Sequence, residues 1–562
     1  MKIFSAILGI LLFSAGVGAQ DNTNPYCGQG NVPSGGADGP AVLMQRCMFT
    51  QISSTPSSNY PKLIKPTDDL QTALNTAMPG DVLLVDPLTS FSINGKLILP
   101  NGTASQWITI RTSSSFIPDE YTKITPAFAS YLPKLIVSMS NASITGGQYV
   151  RLIGFEVTRP EGTGIVYNLF SGLGHDVILD RLYIHGTHSD ETNRGVILND
   201  ASNITVMNSW FEDFHCFAIV GACGDSQAIS GGGSTSSDGN FKIVNNHLEA
   251  AGQSILFGGS PASVVPTDIV VAYNDLIKPM SWNPKDTSYN PVSGHDGLPH
   301  PWIVKNHLEL KNASRVLIEG NRLQNIWGGF TQVGASILLT AKNQAGANGA
   351  SVCPICAVTD VTIRYNYLSF AAQALQIGCS QGGNGGWPAE CARYSIHDNL
   401  FDHLQYQTCY SCGSFTNLIG GGGPTVLHDL VVDHNTFQND GWIGYNGVWG
   451  ATTGVTGFLT LSSPIPGSIP QELNINWTNN IFDVGNSGAY SSGGGTSNCW
   501  SLPGTLKQKF ASCWPSGSFT GNQFVTTVTF RYGILPWPDG NTGNPAAGEN
   551  IDLVNTALNK RR

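Results

Sequence analysis

The chain is poor in charge. Of its 562 residues only 12% are Asp, Glu, Lys or Arg, about half the ~25% usual in soluble domains. That shortage excludes a coiled coil or a set of long amphipathic helices, which draw about half of their residues from Ala, Glu, Lys, Leu and Arg. Basic residues are the scarcer sign, 28 against 38 acidic ones, for a net charge of −10. A surface built to neutralise phosphates is therefore excluded, and no nucleic-acid partner is expected. No apolar run after residue 19 approaches the ~20 residues of a membrane span. Disorder is excluded as well, because 41% of the residues are hydrophobic. What is abundant is Gly (66 residues) together with Ser, Thr and Asn, the composition of a β protein organised by its backbone.

Residues 1–19 read as a secretory signal. Lys2 is the positive end, 3–16 the apolar stretch and Val17-Gly18-Ala19 the small-residue site, with cleavage expected after Ala19. The mature protein is expected to be soluble and secreted, or periplasmic. All twelve cysteines follow the cut, in neighbouring pairs: Cys27/Cys47, Cys216/Cys223, Cys353/Cys356, Cys379/Cys391, Cys409/Cys412 and Cys499/Cys513. An even count in an exported chain points to disulfides. Cys353-Pro-Ile-Cys356 and Cys409-Tyr-Ser-Cys412 also have the spacing used by zinc and redox sites. The 52 residues between those pairs exceed the ~15–20 of a four-cysteine zinc site, and neither pair opens an obvious helix.

At roughly 150 residues per domain the length suggests three or four domains, but an internal repeat replaces that estimate. The pattern is apolar, any, apolar, two of any kind, Asn, any, apolar. It occurs at Phe241/Ile243/Asn246/Leu248, Ile269/Val271/Asn274/Leu276, Val316/Ile318/Asn321/Leu323 and Val361/Ile363/Asn366/Leu368. It continues at Tyr394/Ile396/Asn399/Phe401, Leu430/Val432/Asn435/Phe437 and Ile475/Trp477/Asn480/Phe482. Three earlier copies keep the apolar frame without the Asn: Val150/Leu152/Phe155/Val157, Val177/Leu179/Leu182/Ile184 and Ile204/Val206/Ser209/Phe211. The first intervals are 27, 27, 37 and 28 residues and the later ones 33 to 47, as in a solenoid whose loops grow from one corner of a fixed coil.

Apolar residues two apart share one face of a strand, so each copy is expected to be a short strand with an inward pair. The Asn falls where the chain must turn. It is either a plain turn residue or one rung of a stacked ladder of amides. Further apolar segments at 195–199, 254–257, 308–311, 337–342 and 374–377 form a second column of strands. Two columns per coil describe an all-β, right-handed parallel β-helix over residues 67–484. A short N-terminal capping helix, N-capped by Thr67-Asp68 with Leu70, Ala73, Leu74 and Ala77 on one face, is expected to close its end. Residues 20–66 read as an irregular lead-in and 485–562 as an irregular C-terminal cap.

The repeat and the helix-turn-strand unit at 70–85 resemble the pectate-lyase-like right-handed β-helix superfamily, over residues 68 to about 484. The segments FKIVNNHLEAAGQSILFGG and VKNHLELKNASRVLIEGN are similar to secreted bacterial members. The resemblance implies polysaccharide lyases, hydrolases and epimerases as well as non-catalytic surface proteins, so function must be sought in a site.

The densest polar chemistry is at 305–311. With Leu308 and Leu310 facing the core, His307, Glu309 and Lys311 are expected on one outward face. Aligning Lys342-Asn343 with Lys311-Asn312 stacks Lys342 one coil away, ~4.8 Å along a sheet. Two such lysines lower one another's proton affinity; a neutral one can take a proton while its charged neighbour offsets a carboxylate. That is the chemistry of β-elimination on a uronate polymer. The layout is similar to the alginate-lyase and chondroitinase branch, which implies Lys311 as base, Lys342 as the second basic group and Glu309 as a calcium ligand or orienter. His307 joins this catalytic set, and Lys305, Gln253 and Arg194 the substrate-binding one. The branch has Asn-Gly-x-Glu where this chain reads Ala250-Ala251-Gly252-Gln253, and usually Arg where this chain has Lys342. Polygalacturonase signatures (Asn-Thr-Asp, Arg-Ile-Lys) are missing, which disfavours a hydrolase.

Other candidates are His185, His188, Asp190 and Arg194 as a substrate or metal loop, and Asp200 and Asp225 as calcium ligands. His295 and His300 lie in an insertion at 279–301 long enough to wall a groove. No cofactor is required by this chemistry, though calcium fits it. A monomer acting on an acidic polysaccharide is expected, most plainly as a lyase. The alternatives are uronate epimerisation and a non-catalytic adhesive or carbohydrate-binding protein.

Overall fold

The structure is a computed structural model. It describes residues 39–41, 62–120, 122–236, 239–328, 334–346, 349–371, 373–381, 386–404, 414–419, 425–437, 457–462, 472–483, 489–491, 508, 511, 514–525 and 542–543. Residues 1–19, expected to be a signal segment, and Cys27, Cys47, Cys409, Cys412, Cys499 and Cys513 lie outside the described residues.

Successive strands pair in parallel with the copy one coil away, which makes the chain a parallel β-helix. The repeat gives the register directly. Val150, Val177, Ile204, Phe241, Ile269, Val316, Val361, Tyr394, Leu430 and Ile475 are consecutive Cα partners along one column. All ten are buried in one continuous core. There are three strand columns per coil rather than two. The last apolar residue of each copy lies on a strand of its own, as in Phe211, Leu248, Leu276, Leu323 and Leu368, which pair in that order. Among the described residues the first and second columns belong to one 24-stranded sheet and the third forms a 14-stranded sheet.

The bend between the first and third columns explains why Asn recurs. The residue before each Asn has a left-handed backbone: Asn245, Tyr273, Gly320, Tyr365, Asp398, His434 and Asn479 all have φ between 52° and 61°. This turns the chain within two residues and leaves the peptide groups of the turn without sheet partners. The Asn side chains satisfy them. Asn246, Asn274, Asn321, Asn366, Asn399, Asn435 and Asn480 each donate from Nδ2 to Oδ1 of the next at 2.9–3.0 Å. Each Oδ1 also accepts the backbone N–H of the residue one coil before, Ser209 for Asn246 and an Asn thereafter, as Asn321 does from Asn274 at 2.9 Å.

The coil extends beyond both expected limits. Lys62–Ile64 already pairs with Val82–Val85. After residue 484, Phe519 pairs with Trp477, Phe524 with Phe482, and Asn522 accepts from Asn480 as a further rung. The N-terminal helix is Leu70–Asn75, capped by Asp69 rather than Thr67-Asp68: its carboxylate accepts Thr72 N–H at 2.6 Å. Gln71 covers the free edge of Lys96–Asn101, its amide accepting Ile98 N–H at 2.8 Å and donating to Ile98 O at 3.1 Å. No helix among the described residues is long and apolar enough to cross a membrane.

Candidate functional site

The second column positions the polar side chains. Arg194, on Thr192–Ile197, pairs across the sheet with Gln227, Gln227 with Gln253, and Gln253 with Asn306, so one face passes through four successive coils. An unbroken chain of side-chain bonds runs along it and then crosses to Glu309, which pairs with Leu256 and lies on the other face of the strand. Arg194 Nε donates to Gln227 Oε1 at 2.7 Å, Gln227 Nε2 to Gln253 Oε1 at 2.9 Å, and Gln253 Nε2 to Glu309 Oε2 at 3.0 Å. Glu309 Oε1 then faces Lys311 Nζ at 3.2 Å. Gln227, Gln253 and Glu309 are buried, so these groups interact in a shielded, low-dielectric setting.

Lys342 joins the same cluster with a shifted register. Glu309 pairs with Leu338 and Leu310 with Leu339, so Lys342 lies beyond the level of Lys311, not opposite it. The shift of two residues preserves the face, and Lys342 N–H still donates to Lys311 O at 3.2 Å. Burial, and then the Lys311 charge, lower the Lys342 pKa, while Glu309 opposes them. Lys305 completes the group by pairing with Asp225. Asp225 also supports the Arg194 charge against the lowering effect of burial.

His307 is not part of this face. Its ring is fully buried, with Nδ1 2.7 Å from Ser336 Oγ and Nε2 2.9 Å from the Gln324 carbonyl oxygen. Strict alternation fails here because the strand begins in the corner where the chain arrives from the third column. Burial and the nearby Lys278 hold His307 well below its usual pKa and therefore neutral. The loop histidines also separate from the cluster. His185 stacks on Tyr183 with centroids 4.1 Å apart, His188 meets Asn290, and Asp190 pairs with Arg159 at 3.5 Å.

The proposed calcium ligands do not form a cage. Asp225 and Glu309 are each engaged by a lysine, and Asp200 accepts the backbone N–H groups of Thr235 and Ser236 at 2.8 and 2.9 Å. Calcium takes six to eight converging oxygens, roughly, and the residues present do not fit it. Among the described residues one cluster has the spacing of metal ligands, Glu191 with Cys216 and Cys223. Those sulfurs are joined in a disulfide, as are Cys353–Cys356 and Cys379–Cys391.

Two insertions border the cluster. The loop between Trp210–Phe214 and Gln227–Gly231 carries the Cys216–Cys223 disulfide and Asp225. The longer insertion at 279–305 packs on it: Trp302 stacks on His215 at 3.6 Å between centroids, Ala218 N–H donates to Pro301 O at 2.9 Å, and Ile303 N–H to Cys216 O at 2.9 Å. Gln227 carries no sequence signal beyond opening the strand Gln227–Gly231 behind the disulfide loop.

No family model and no curated protein matches the chain. Solved structures do. An alginate lyase from Paenibacillus sp. str. FPU-7 is similar at 15% identity, covering 69% of this chain and 95% of that one, with a TM-score of 0.37. Pectate lyase Pel9A is similar at 13% identity over 58% of this chain and 79% of its own, with a TM-score of 0.32. The tailspike protein of E. coli bacteriophage HK620, in complex with a pentasaccharide, is similar at 12% identity over 87% and 76%, with a TM-score of 0.37. Likeness at this level carries no chemistry to this chain, whose site is argued from its own residues.

Proposed function

We propose that this protein is an exported lyase that cleaves a uronate-containing polysaccharide by β-elimination at the Lys311/Lys342 cluster. The observation that carries the reading is a local inversion of charge. In a protein of net charge −10, Arg194, Lys305, Lys311 and Lys342 are gathered around Asp225 and Glu309. An acidic polymer is the substrate class such a patch recognises.

The roles of the two lysines are the reverse of those the resemblance implies. Lys342, whose burial and whose neighbour Lys311 favour the neutral amine, takes the proton beside the uronate carboxylate. The C–H electrons become the new double bond, the glycosidic C–O bond breaks, and the ammonium formed on Lys342 returns its proton to the departing oxygen. Lys311, oriented by Glu309, offsets the charge that develops on the carboxylate. Arg194 extends the contact to a neighbouring sugar unit; Gln227 and Gln253 are buried and tie it to Glu309, so Gln253, expected to bind substrate, supports the site from within. No step uses a metal.

The test is to incubate the mature protein with alginate, pectate and glycosaminoglycans while following the absorbance of unsaturated uronates. Cleavage is expected on at least one polymer, abolished by Lys342→Ala and strongly reduced by Lys311→Ala. Cleavage that survives both substitutions overturns the site. Binding without cleavage on every polymer favours the non-catalytic reading, and solvent-hydrogen exchange into the sugar without cleavage favours epimerisation.

A further inference from the structure

The two insertions beside the cluster meet at one buried carboxylate. Glu191 precedes Thr192–Ile197, is almost fully buried, and projects into the disulfide loop. Its Oε1 accepts Phe217 N–H at 3.0 Å and its Oε2 accepts Ala222 N–H at 2.9 Å. Oε2 also lies 2.7 Å from Nε2 of His295, on the 279–305 insertion. Space for the carboxylate depends on Gly221, where a Cβ would lie 2.6 Å from Glu191 Oε1 and 2.4 Å from the Phe217 carbonyl oxygen. The next residues of the strand continue the tie. Asn193 Nδ2 donates to Asp225 O, and Arg194 Nη1 donates to Asn193 Oδ1 at 2.6 Å.

The geometry points to Glu191 as a positioning residue: one carboxylate clamps the disulfide loop and the 279–305 insertion together, and so brings Asp225 of the first and Lys305 of the second to each other beside Arg194. This rests on the proposed polyuronate site for its functional consequence, but the clamp itself does not. A carboxylate is suited to the task because it accepts from several donors at once, and buried charge-assisted bonds are strong when every partner is in place. The insertions share only a short main-chain contact, the Phe217–Trp302 bridge with its two flanking bonds, and the clamp adds a second tie beside it.

The test uses the full mature chain and two readouts. Glu191→Ala and, because a buried substitution can impair folding, His295→Gln on the half-exposed partner are compared with the wild type. Hydrogen exchange at 216–225 and 279–305 is expected to quicken at least tenfold in Glu191→Ala and several-fold in His295→Gln, with exchange in the Asn turns unchanged. Unchanged exchange in both insertions overturns the clamp. Affinity for polyuronate oligosaccharides is then measured for both variants alone and on a Lys305→Ala background. If Glu191 acts through Lys305, its substitution lowers affinity about as much as Lys305→Ala and adds nothing to it. Fully additive losses overturn the positioning role and leave a plain structural one. If the wild type binds no polyuronate at all, the functional reading and the positioning role fall together, while the exchange data still decide the clamp.

Discussion

Two corners of the coil are built on opposite plans. Between the first and third columns each coil copies its neighbour in having a left-handed residue, followed from Asn246 onward by an Asn bonded to its copies in adjacent coils. Between the third and second columns no two coils agree. The connection is short after His247–Ala250, carries a disulfide loop after Trp210–Phe214, and carries the 279–305 insertion after Asp275–Ile277. The first corner satisfies buried main-chain groups, which every coil has, so one residue type serves from Asn246 to Asn522. The second gathers charged and polar side chains that only a few coils supply. Repetition builds the tube, and the interruptions of the repeat carry its chemistry.

The comparison breaks most sharply in the repeated corner. Asn321 accepts from Asn274 through two groups and donates to Val271 O and Asn366 Oδ1, all buried. Asn321→Ala strands several of these partners at once and is expected to destabilise the protein by about 4 kcal/mol. Urea unfolding checks this, and a loss below about 1 kcal/mol shows that the amide stack is dispensable. Glu472 is a buried acid outside the ladder, bonded to the Trp514 indole at 2.9 Å, and burial pushes its carboxyl up to about 7. The folded chain then holds a proton that the unfolded chain releases near 4.5, so stability falls as pH rises from about 4.5 through 7 and stays low above. Glu472→Gln is expected to remove about 3 kcal/mol of that loss at pH 8 and to have little effect at pH 4. Melting curves of the two proteins that remain parallel from pH 4 to 8 refute it.

These contrasts also explain what the sequence discloses. The first column is legible residue by residue, from Val150 to Ile475, because period-two apolar pairs and a recurrent Asn leave one register. The third column is not, because strands as short as Asp275–Ile277 carry one core residue each and merge with the preceding copy. At the site, Glu309, Lys311 and Lys342 share one face because period two holds along the second column, whereas Arg194, Gln227 and Gln253 follow the Asn306 row and reach Glu309 only through side-chain bonds at the start of the strand. Gln227 escapes notice for want of an apolar run before it. His307 misleads because alternation does not hold at a bend, and the Glu191–His295 contact spans 104 residues, with no local pattern to announce it.

The irregular corner supplies the next test. Gly221→Ala places a Cβ against the Phe217 carbonyl oxygen and the Glu191 carboxylate, whereas at Gly224, in the same loop, nothing lies within 4 Å. Gly221→Ala is expected to cost about 2 kcal/mol locally through overpacking, and Gly224→Ala almost nothing. Proteolysis of the loop under native conditions separates the two; equal susceptibility removes the steric argument.

The smallest effect is expected at the N-terminal end, where, among the described residues, Lys96–Asn101 has a strand partner on one side only. Gln71 acts there as a stand-in for one residue of a missing strand, since its carboxamide presents the acceptor and donor that Ile98 otherwise finds in a neighbouring peptide. Both bonds are exposed to water, which replaces them at modest cost, so Gln71→Ala is expected to lose about 1 kcal/mol or less. Its more telling consequence is kinetic. Ile98 is itself 53% exposed, and an uncovered parallel edge bearing an apolar side chain invites pairing with another molecule. Light scattering of concentrated Gln71→Ala should therefore rise faster than that of the wild type, and Gln71→Glu, which keeps an acceptor and adds charge, should not. If all three scatter alike, the helix over residues 70–75 closes the end by bulk alone and the Gln71 contact is incidental.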